Sequence, residues 1–395
     1  MIKRKKKNKE HNPFYDPTLK KRHVSAKRFK KFTLTSLIFS IAFLAFFLFD
    51  MIGKGIPAFN IAYIKVDVTF NEKTLEDTRF AVPTPYRNLV SRAALRDLPK
   101  LLEENPTYMN STQNIWILAS SQVDQYIKNH NHNLKDKDIA KVDELYAQGL
   151  IDKKFNAIFF ENGDSKIPEY AGIFSAVIGS ILTLIITMAV AFPIGVMTAI
   201  YLEEFAGDNK FTRFIEININ NLAAIPSILF GLLGLAIFIN LFGMPRSSPL
   251  VGGLTLALMT LPIIIVSSRA ALRAVPDSIR QAGYGLGLNK IQVTRDHVLP
   301  LAFPGIMTGS IIGLAQAMGE TAPLIIIGMI AFIPDAPSMV TQAATVMPAQ
   351  LFTWAGMPEG MYIEKTAAGI LVLLTILISL NAIAIFLRKK FEVKW

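Results

Sequence analysis

Long apolar stretches alternate with polar ones along the chain. The apolar runs cover residues 33–52, 172–201, 219–242, 250–268, 305–332 and 366–387. Each holds about 20 residues or more, enough for a helix to cross ~30 Å of hydrocarbon. Residues 53–169 are polar and patterned differently. Ile64, Val66, Val68 and Phe70 alternate with Lys65, Asp67 and Thr69, which predicts a half-buried strand. Residues 86–102 predict an amphipathic helix, and 115–118 a strand. A helix capped near Ser120 or Ser121 follows, then a helix over 138–148 stopped by Gly149, then a strand over 156–160. The fold class expected is an α-helical integral membrane protein with about six transmembrane helices and a small α+β insert outside the membrane. The insert shows no catalytic constellation. It reads either as a contact for an extracytoplasmic partner or as a structural cap.

One polar stretch between spans, residues 276–300, reads as two short helices joined by a glycine. Asp277 is positioned to N-cap a helix over 278–286. Gly287 suits the left-handed residue past a helix end. Asn289 caps a second helix, and Gln292 completes a capping box. Pro300 and Pro304 are expected to stop that helix. A polar helix pair inserted between spans is poorly suited to face lipid, so it reads as a docking device for a soluble partner.

Charge orients the chain. Of its 395 residues 51% are hydrophobic and only 18% charged, and the net charge is +11. The basic residues concentrate at Lys3, Arg4, Lys5, Lys6 and Lys7, at Lys20, Lys21 and Arg22, at Lys27, Arg28, Lys30 and Lys31, and in short flanks of apolar runs. This fits membrane orientation and membrane lipid, not nucleic acid. Residues 1–32 read as a flexible basic cytoplasmic tail and 33–52 as a retained anchor. Lys210 and Arg213, Arg269, Arg273 and Lys290, and Arg388 to Lys390 then all fall on the cytoplasmic side.

No cysteine is present, which excludes disulfides and thiolate metal sites. His130 and His132 sit in an Asn-His-Asn-His-Asn run that reads as a solvated loop, so no metal site is expected. No Ser/His/Asp triad is evident. The segment Gly285-Leu286-Gly287-Leu288-Asn289-Lys290 lacks the Gly-Lys pair of a phosphate-binding loop. The chain is therefore expected to have no catalytic residues, to bind no cofactor itself and to be no enzyme.

The run 305–332 has its own pattern. Gly305, Gly309, Gly313 and Ala317 fall every four residues, one smooth face for close helix packing. Gln316 and Glu320 lie beside it, followed by Thr321, as pathway or gate candidates. A carboxylate inside a span costs about 2.5–3.5 kcal/mol on insertion scales. Glu320 therefore faces a polar cavity or a partner group, or makes a hydrogen bond between helices. The small-residue face suggests a tightly packed interface, with a cation from a second, sister subunit as the partner of Glu320.

The stretch 276–300 resembles the EAA loop of ABC-transporter permeases. Gln281, Ala282 and Gly283 stand at the Glu-Ala-Ala positions, Gly287 at the loop glycine, and His297-Val298-Leu299-Pro300 at the closing element. Gln281, Gly283 and His297 depart in identity; the spacing matches. By that resemblance, Gln281, Ala282, Gly283, Gly287, Leu299 and Pro300 couple the chain to an ATPase. Three further runs resemble the PstA family of phosphate ABC-importer permeases: 195–204 (GVMTAIYLEE), 225–234 (IPSILFGLLG) and 317–324 (AMGETAPL). The likeness covers 172–395 closely, and the insert resembles the N-terminal extension of longer members. It implies a type I importer permease fold over 170–395. It also implies work with a sister permease PstC, a PstB ATPase dimer that holds ATP and Mg, and a periplasmic phosphate-binding protein PstS, in the cell inner membrane. A permease for another oxyanion or solute, and a membrane-bound sensor, are the competing readings.

Overall fold

The computed structural model describes residues 18–330 and 332–391. The chain forms two compact units that meet between Ile52 and Gly53. Helix α1 (Leu19–Gly55) carries the first apolar run. It starts well before residue 33, so Lys20 through Lys31 are helical and not a flexible tail. Lys and Arg are good helix formers, and a helix already nucleated extends through them at little cost. The run Lys3 to Lys7 lies outside the described residues.

The insert is a three-stranded antiparallel sheet with helices on one face, in the strand order β2-β1-β3. Strand β1 (Asn60–Phe70) is the predicted one, extended toward the membrane. Its Ile64, Val66, Val68 and Phe70 are buried, as the alternation requires. Helix α2 (Glu72–Glu76) follows. The helix expected over 86–102 is instead α3 (Arg92–Arg96) and α4 (Leu98–Glu104). Val90 is drawn into a bridge with Ala119, and Pro99 is tolerated only in the first turn of a helix. Strand β2 (Ser111–Leu118), α5 (Ser121–Ile127) with Ser120 at its N-cap, and α6 (Asp136–Ala147) match expectation. So does Gly149, at φ +70°. The strand expected over 156–160 is misplaced. The third strand is β3 (Ile151–Phe155), and Asn156 caps α7 (Ala157–Glu161) by accepting a hydrogen bond from the Phe159 N–H. The Asp-Lys-Lys core of β3 hides it from a hydrophobicity reading.

In the membrane part, α8 (Phe174–Ile200) ends in a π turn over Tyr201–Phe205. The apolar run 219–242 is not one straight span. Helix α9 (Lys210–Ala223) is amphipathic, and the chain bends by 103° before α10 (Ser227–Gly234) and its π-helical continuation Leu235–Leu241. Pro226 causes the break, because it lacks an N–H and disfavours helical backbone at Ile225. Helix α11 (Pro249–Arg273) leads into α12 (Asp277–Gly285) and α13 (Lys290–Val293). A π turn over Thr294–Val298 joins α13 to α14 (Leu299–Gly319). Helix α15 (Ala322–Ile326), the buried α16 (Met347–Ala355) and α17 (Gly360–Phe391) complete the fold.

Helix α11 is the axis of this part, packed between α8 and α14. A Cβ on Gly253 would stand 2.6 Å from Ile186 of α8, so the two backbones approach closely only because this residue is glycine. Among the described residues, five helices are long and apolar enough to cross a membrane, or six if the bent α9–α10 pair counts as one span.

Candidate functional site

The helix pair between α11 and α14 is built by three local devices. Helix α12 starts one residue earlier than expected: Pro276 is its N-cap and Asp277 its first residue, in the first turn where a negative charge suits the helix dipole. Its C-terminus is a Schellman motif. The Gly287 N–H donates to the Tyr284 carbonyl at 2.9 Å and the Leu288 N–H to the Gly283 carbonyl at 3.2 Å. Gly287 has φ +81°, which a side chain would strain. The expected capping box is present: the Asn289 side chain accepts from the Gln292 N–H and the Gln292 side chain from the Asn289 N–H, both at 2.9 Å.

Pro300 and Pro304 do not stop the second helix. Both lie inside a helical run that continues to Gly319. The π turn accommodates Pro300: the Leu299 N–H reaches back to the Thr294 carbonyl, so the pairing is already shifted where Pro300 offers no donor, and Pro304 lies further on, inside α14. Helix α13 and α14 therefore form one continuous rod, about 45 Å long at ~1.5 Å per residue.

The pair has a buried and an open side. Gly283, Val293 and Val298 are buried, with Ile279, Leu288 and Leu299 half-buried, against Leu202 of α8 and Leu272 and Val275 beside α11. A Cβ on Gly283 would stand 2.8 Å from Val293 Cγ2. The departure from alanine at this EAA position is thus matched by a β-branched residue on the facing helix. Gln281, Ala282, Gly287 and Pro300 are exposed. Beside them, Leu286 is 80% and Ile291 64% exposed, with Tyr284 also open. These three were not singled out from the sequence. Their signal is an apolar residue out of phase with the inward-facing Ile279, Leu288 and Val293.

Ion pairs fix the helix pair to the spans. Arg280 of α12 binds Glu204 of the α8 π turn at 2.6 Å, and donates to the carbonyls of Leu272 (3.0 Å) and Val275 (2.8 Å) at the end of α11. Glu204 is buried. Its neighbour Glu203 accepts from Arg273 at 2.8 Å and from Arg269, which also pairs with Glu216 of α9. The ends of α8 and α11, the middle of α9 and α12 are therefore joined in one network of ion pairs. Nothing in the sequence pattern pairs Arg280 with Glu204; it takes the fold to bring them together.

The other candidates lie on α14. Gly305 and Gly309 face α11: a Cβ on Gly305 would stand 2.6 Å from the Ala271 Cβ, and one on Gly309 would overlap Ser267. Gly313 faces Ile264 at ordinary contact distance, and Ala317 is buried. The small-residue face thus packs within this chain, and it gives no reason to place a second permease beside Glu320. Nor does Glu320 lie inside a helix. It ends α14 with extended backbone (φ −76°, ψ 124°), because Pro323 cannot continue the helical hydrogen bonding. Gln316 is exposed, and Glu320 and Thr321 are half-buried. Among the described residues, the Glu320 carboxylate has no ion-pair partner. No group of three or more His, Asp or Glu that could hold a metal occurs among the described residues.

Apolar helices of spanning length and a polar, ion-paired helix hairpin between two of them define a multi-pass membrane protein. The chain belongs to the binding-protein-dependent transport system inner membrane component family, whose model matches residues 191–393. Residues 16–85 and 81–136 match a domain of unknown function. The chain is 36% identical over 160 residues to the phosphate transport system permease protein PstA of Mycobacterium leprae, covering 40% of this chain and 52% of that one. It is 31% identical over 245 residues to PstA of Yersinia pestis, covering 61% of this chain and 81% of the relative. It is 33% identical over 168 residues to the probable ABC transporter permease protein YqgI of Bacillus subtilis, covering 42% and 56%. The chain spans about half the length of the mycobacterial relative it matches.

Proposed function

We propose that this chain is a membrane-spanning permease subunit of an ATP-driven phosphate importer, located in the cell inner membrane. The observation that carries the reading is the helix pair 277–298. It combines EAA spacing, an open apolar tip at Leu286 and Ile291, and a half-buried arginine, Arg280, that clamps it to the ends of α8 and α11. Such an element transmits motion from a docked subunit to the spans. The names of its relatives support phosphate as the solute. In this reading the ATPase dimer (PstB) holds ATP and Mg and docks on Gln281, Ala282, Gly287 and the apolar tip. A sister permease (PstC) completes the path, and a phosphate-binding protein (PstS) delivers solute. Both termini face the cytoplasm and the insert faces outward. Gln316 on α14, and Glu320 and Thr321 at the break that ends it, act as pathway or gate residues.

The test is uptake of radiolabelled phosphate by cells that carry this chain with its partner subunits as their only importer. Uptake is expected to need ATP and to fall by an order of magnitude or more in Gly287→Val, which puts a β-branched side chain at positive φ. Transport of another oxyanion in preference to phosphate would overturn the substrate, and full uptake by Gly287→Val the coupling role.

A further inference from the structure

Three aromatic rings stack at the foot of the insert. Phe59, Phe160 and Phe155 lie nearly parallel, with centroids 5.8 Å apart at each step. The inner end of the stack meets the core: Phe59 packs edge-on against Phe159 at 5.9 Å, and Phe159 lies 6.5 Å from Trp354. The outer end is open. Phe155 is 64% exposed, Phe160 37%, and Ile56, in the same turn as Phe59, 52%.

Hydrogen bonds fix the height of this stack against the spans. The Asn156 N–H donates to the Phe59 carbonyl and its side-chain amide to Ala58, both at 2.8 Å, tying the end of β3 to the turn Ile56–Phe59. The Ile173 N–H donates to the Phe159 carbonyl at 2.9 Å, which seats α7 on the start of α8. A Cβ on Gly55 would stand 2.9 Å from Leu371 and 3.0 Å from the Ala368 nitrogen of α17. The chain thus enters the turn beside α17, just past Glu364 and Lys365, where that helix changes from charged to apolar. The stack is thus tied to the first turn of α8 and sits next to the stretch where α17 turns apolar.

We propose that Phe155, Phe160 and Ile56 form an interfacial anchor, covered by the outer headgroup and upper acyl layer of the bilayer. Phenylalanine and aliphatic side chains presented on one face bury their apolar surface at the boundary of headgroups and acyl chains. The exposed Lys153 precedes Phe155 on the same strand, and a lysine stem lets its ammonium reach lipid phosphates. Continuity with the span surface and the adjacent cation favour lipid over a second protein as the occupant. The anchor holds the insert at a set height above the membrane. The inference rests on α8 and α17 being spans, and is independent of the solute carried.

The chain has no cysteine, so single-cysteine labelling is clean. Phe155→Cys and, separately, Ile56→Cys carry an environment-sensitive fluorophore in the full-length chain, reconstituted in lipid nanodiscs containing headgroup- or shallow-chain spin-labelled lipid. Asp67→Cys, about 23 Å along β1 from Asn60 at ~3.3 Å per residue, is the control. The anchor predicts quenching by the spin-labelled lipid of at least twofold at positions 155 and 56 and none at 67. Free access to aqueous iodide without lipid quenching overturns it. Shielding from both quenchers also overturns it, and assigns the surface to a protein.

Discussion

At the scale of single residues, the two glycines of the docking hairpin differ in what they require. Gly287 is there for its backbone, at φ +81°, and Gly283 for space, because Val293 fills the volume a methyl needs. Alanine at 283 gains about 0.8–1.0 kcal/mol of helix propensity. The clash with a χ1-stiff valine costs about 1–3 kcal/mol. Gly283→Ala is therefore expected to lower the thermal unfolding midpoint of the detergent-solubilised chain, and Val293→Ala in the same chain to restore it. Equal midpoints for Gly283→Ala with and without Val293→Ala would remove this account of the departure from the EAA sequence. Gly287 and the Asn289–Gln292 box were legible in the sequence, because turns and caps are set by residue type over four or five positions. The Gly283–Val293 fit was not, since it depends on where two helices cross.

At the scale of elements, local patterns again outran long-range ones. Alternation found β1, and apolar length found α8, α11 and α17. The breaks at Pro226 and at Glu320, and the survival of the helix through Pro300 and Pro304, turned on whether neighbours could supply or forgo a hydrogen bond. The junction of α5 with α17 was wholly hidden. There Lys128 pairs with Asp124 at 2.6 Å and with Glu364 at 3.1 Å, all three side chains buried, and Gln125 donates to Glu364 at 2.6 Å. Lys128→Met leaves two buried carboxylates facing each other. It is expected to destabilise the chain by about 3–5 kcal/mol, read as a fall in unfolding midpoint. The junction is also pH-dependent. Burial pushes the Asp124 carboxyl above its ordinary range despite the pull of Lys128, and burial does the same to Glu169 and Asp164 nearby. A carboxyl whose pKa is higher in the folded state holds its proton more tightly there than in the unfolded chain. Its protonation stabilises the fold at low pH, and that contribution is lost as pH rises from the ordinary value near ~4 through the raised one. The stability of the wild type relative to Asp124→Asn is expected to fall as pH rises through that window. A difference that stays flat or grows with pH contradicts the assignment.

At the scale of the whole molecule, the membrane class, the α+β insert and the docking hairpin could be read from apolar length, alternation and capping. What ties them together could not. The ion pairs of Arg280, Arg269 and Arg273 with Glu203, Glu204 and Glu216 join residues that are far apart in the chain. They tie the hairpin to α8, α9 and α11, while α13 runs on into α14; on the proposed reading a push on its tip is delivered to the spans. That is the central claim, and it requires the tip to touch the ATPase. Leu286→Cys places a lone thiol at the most open apolar position of the hairpin, 80% exposed, in a chain with no other cysteine. The measurement is cross-linking with a short thiol-to-amine reagent in membranes that contain the whole importer, followed by identification of the adduct by mass spectrometry. The account predicts a cross-link from position 286 to the ATPase subunit, and none from Asp67→Cys in the insert. Efficient labelling of Cys at 286 without any ATPase adduct, in membranes that transport phosphate, would contradict it.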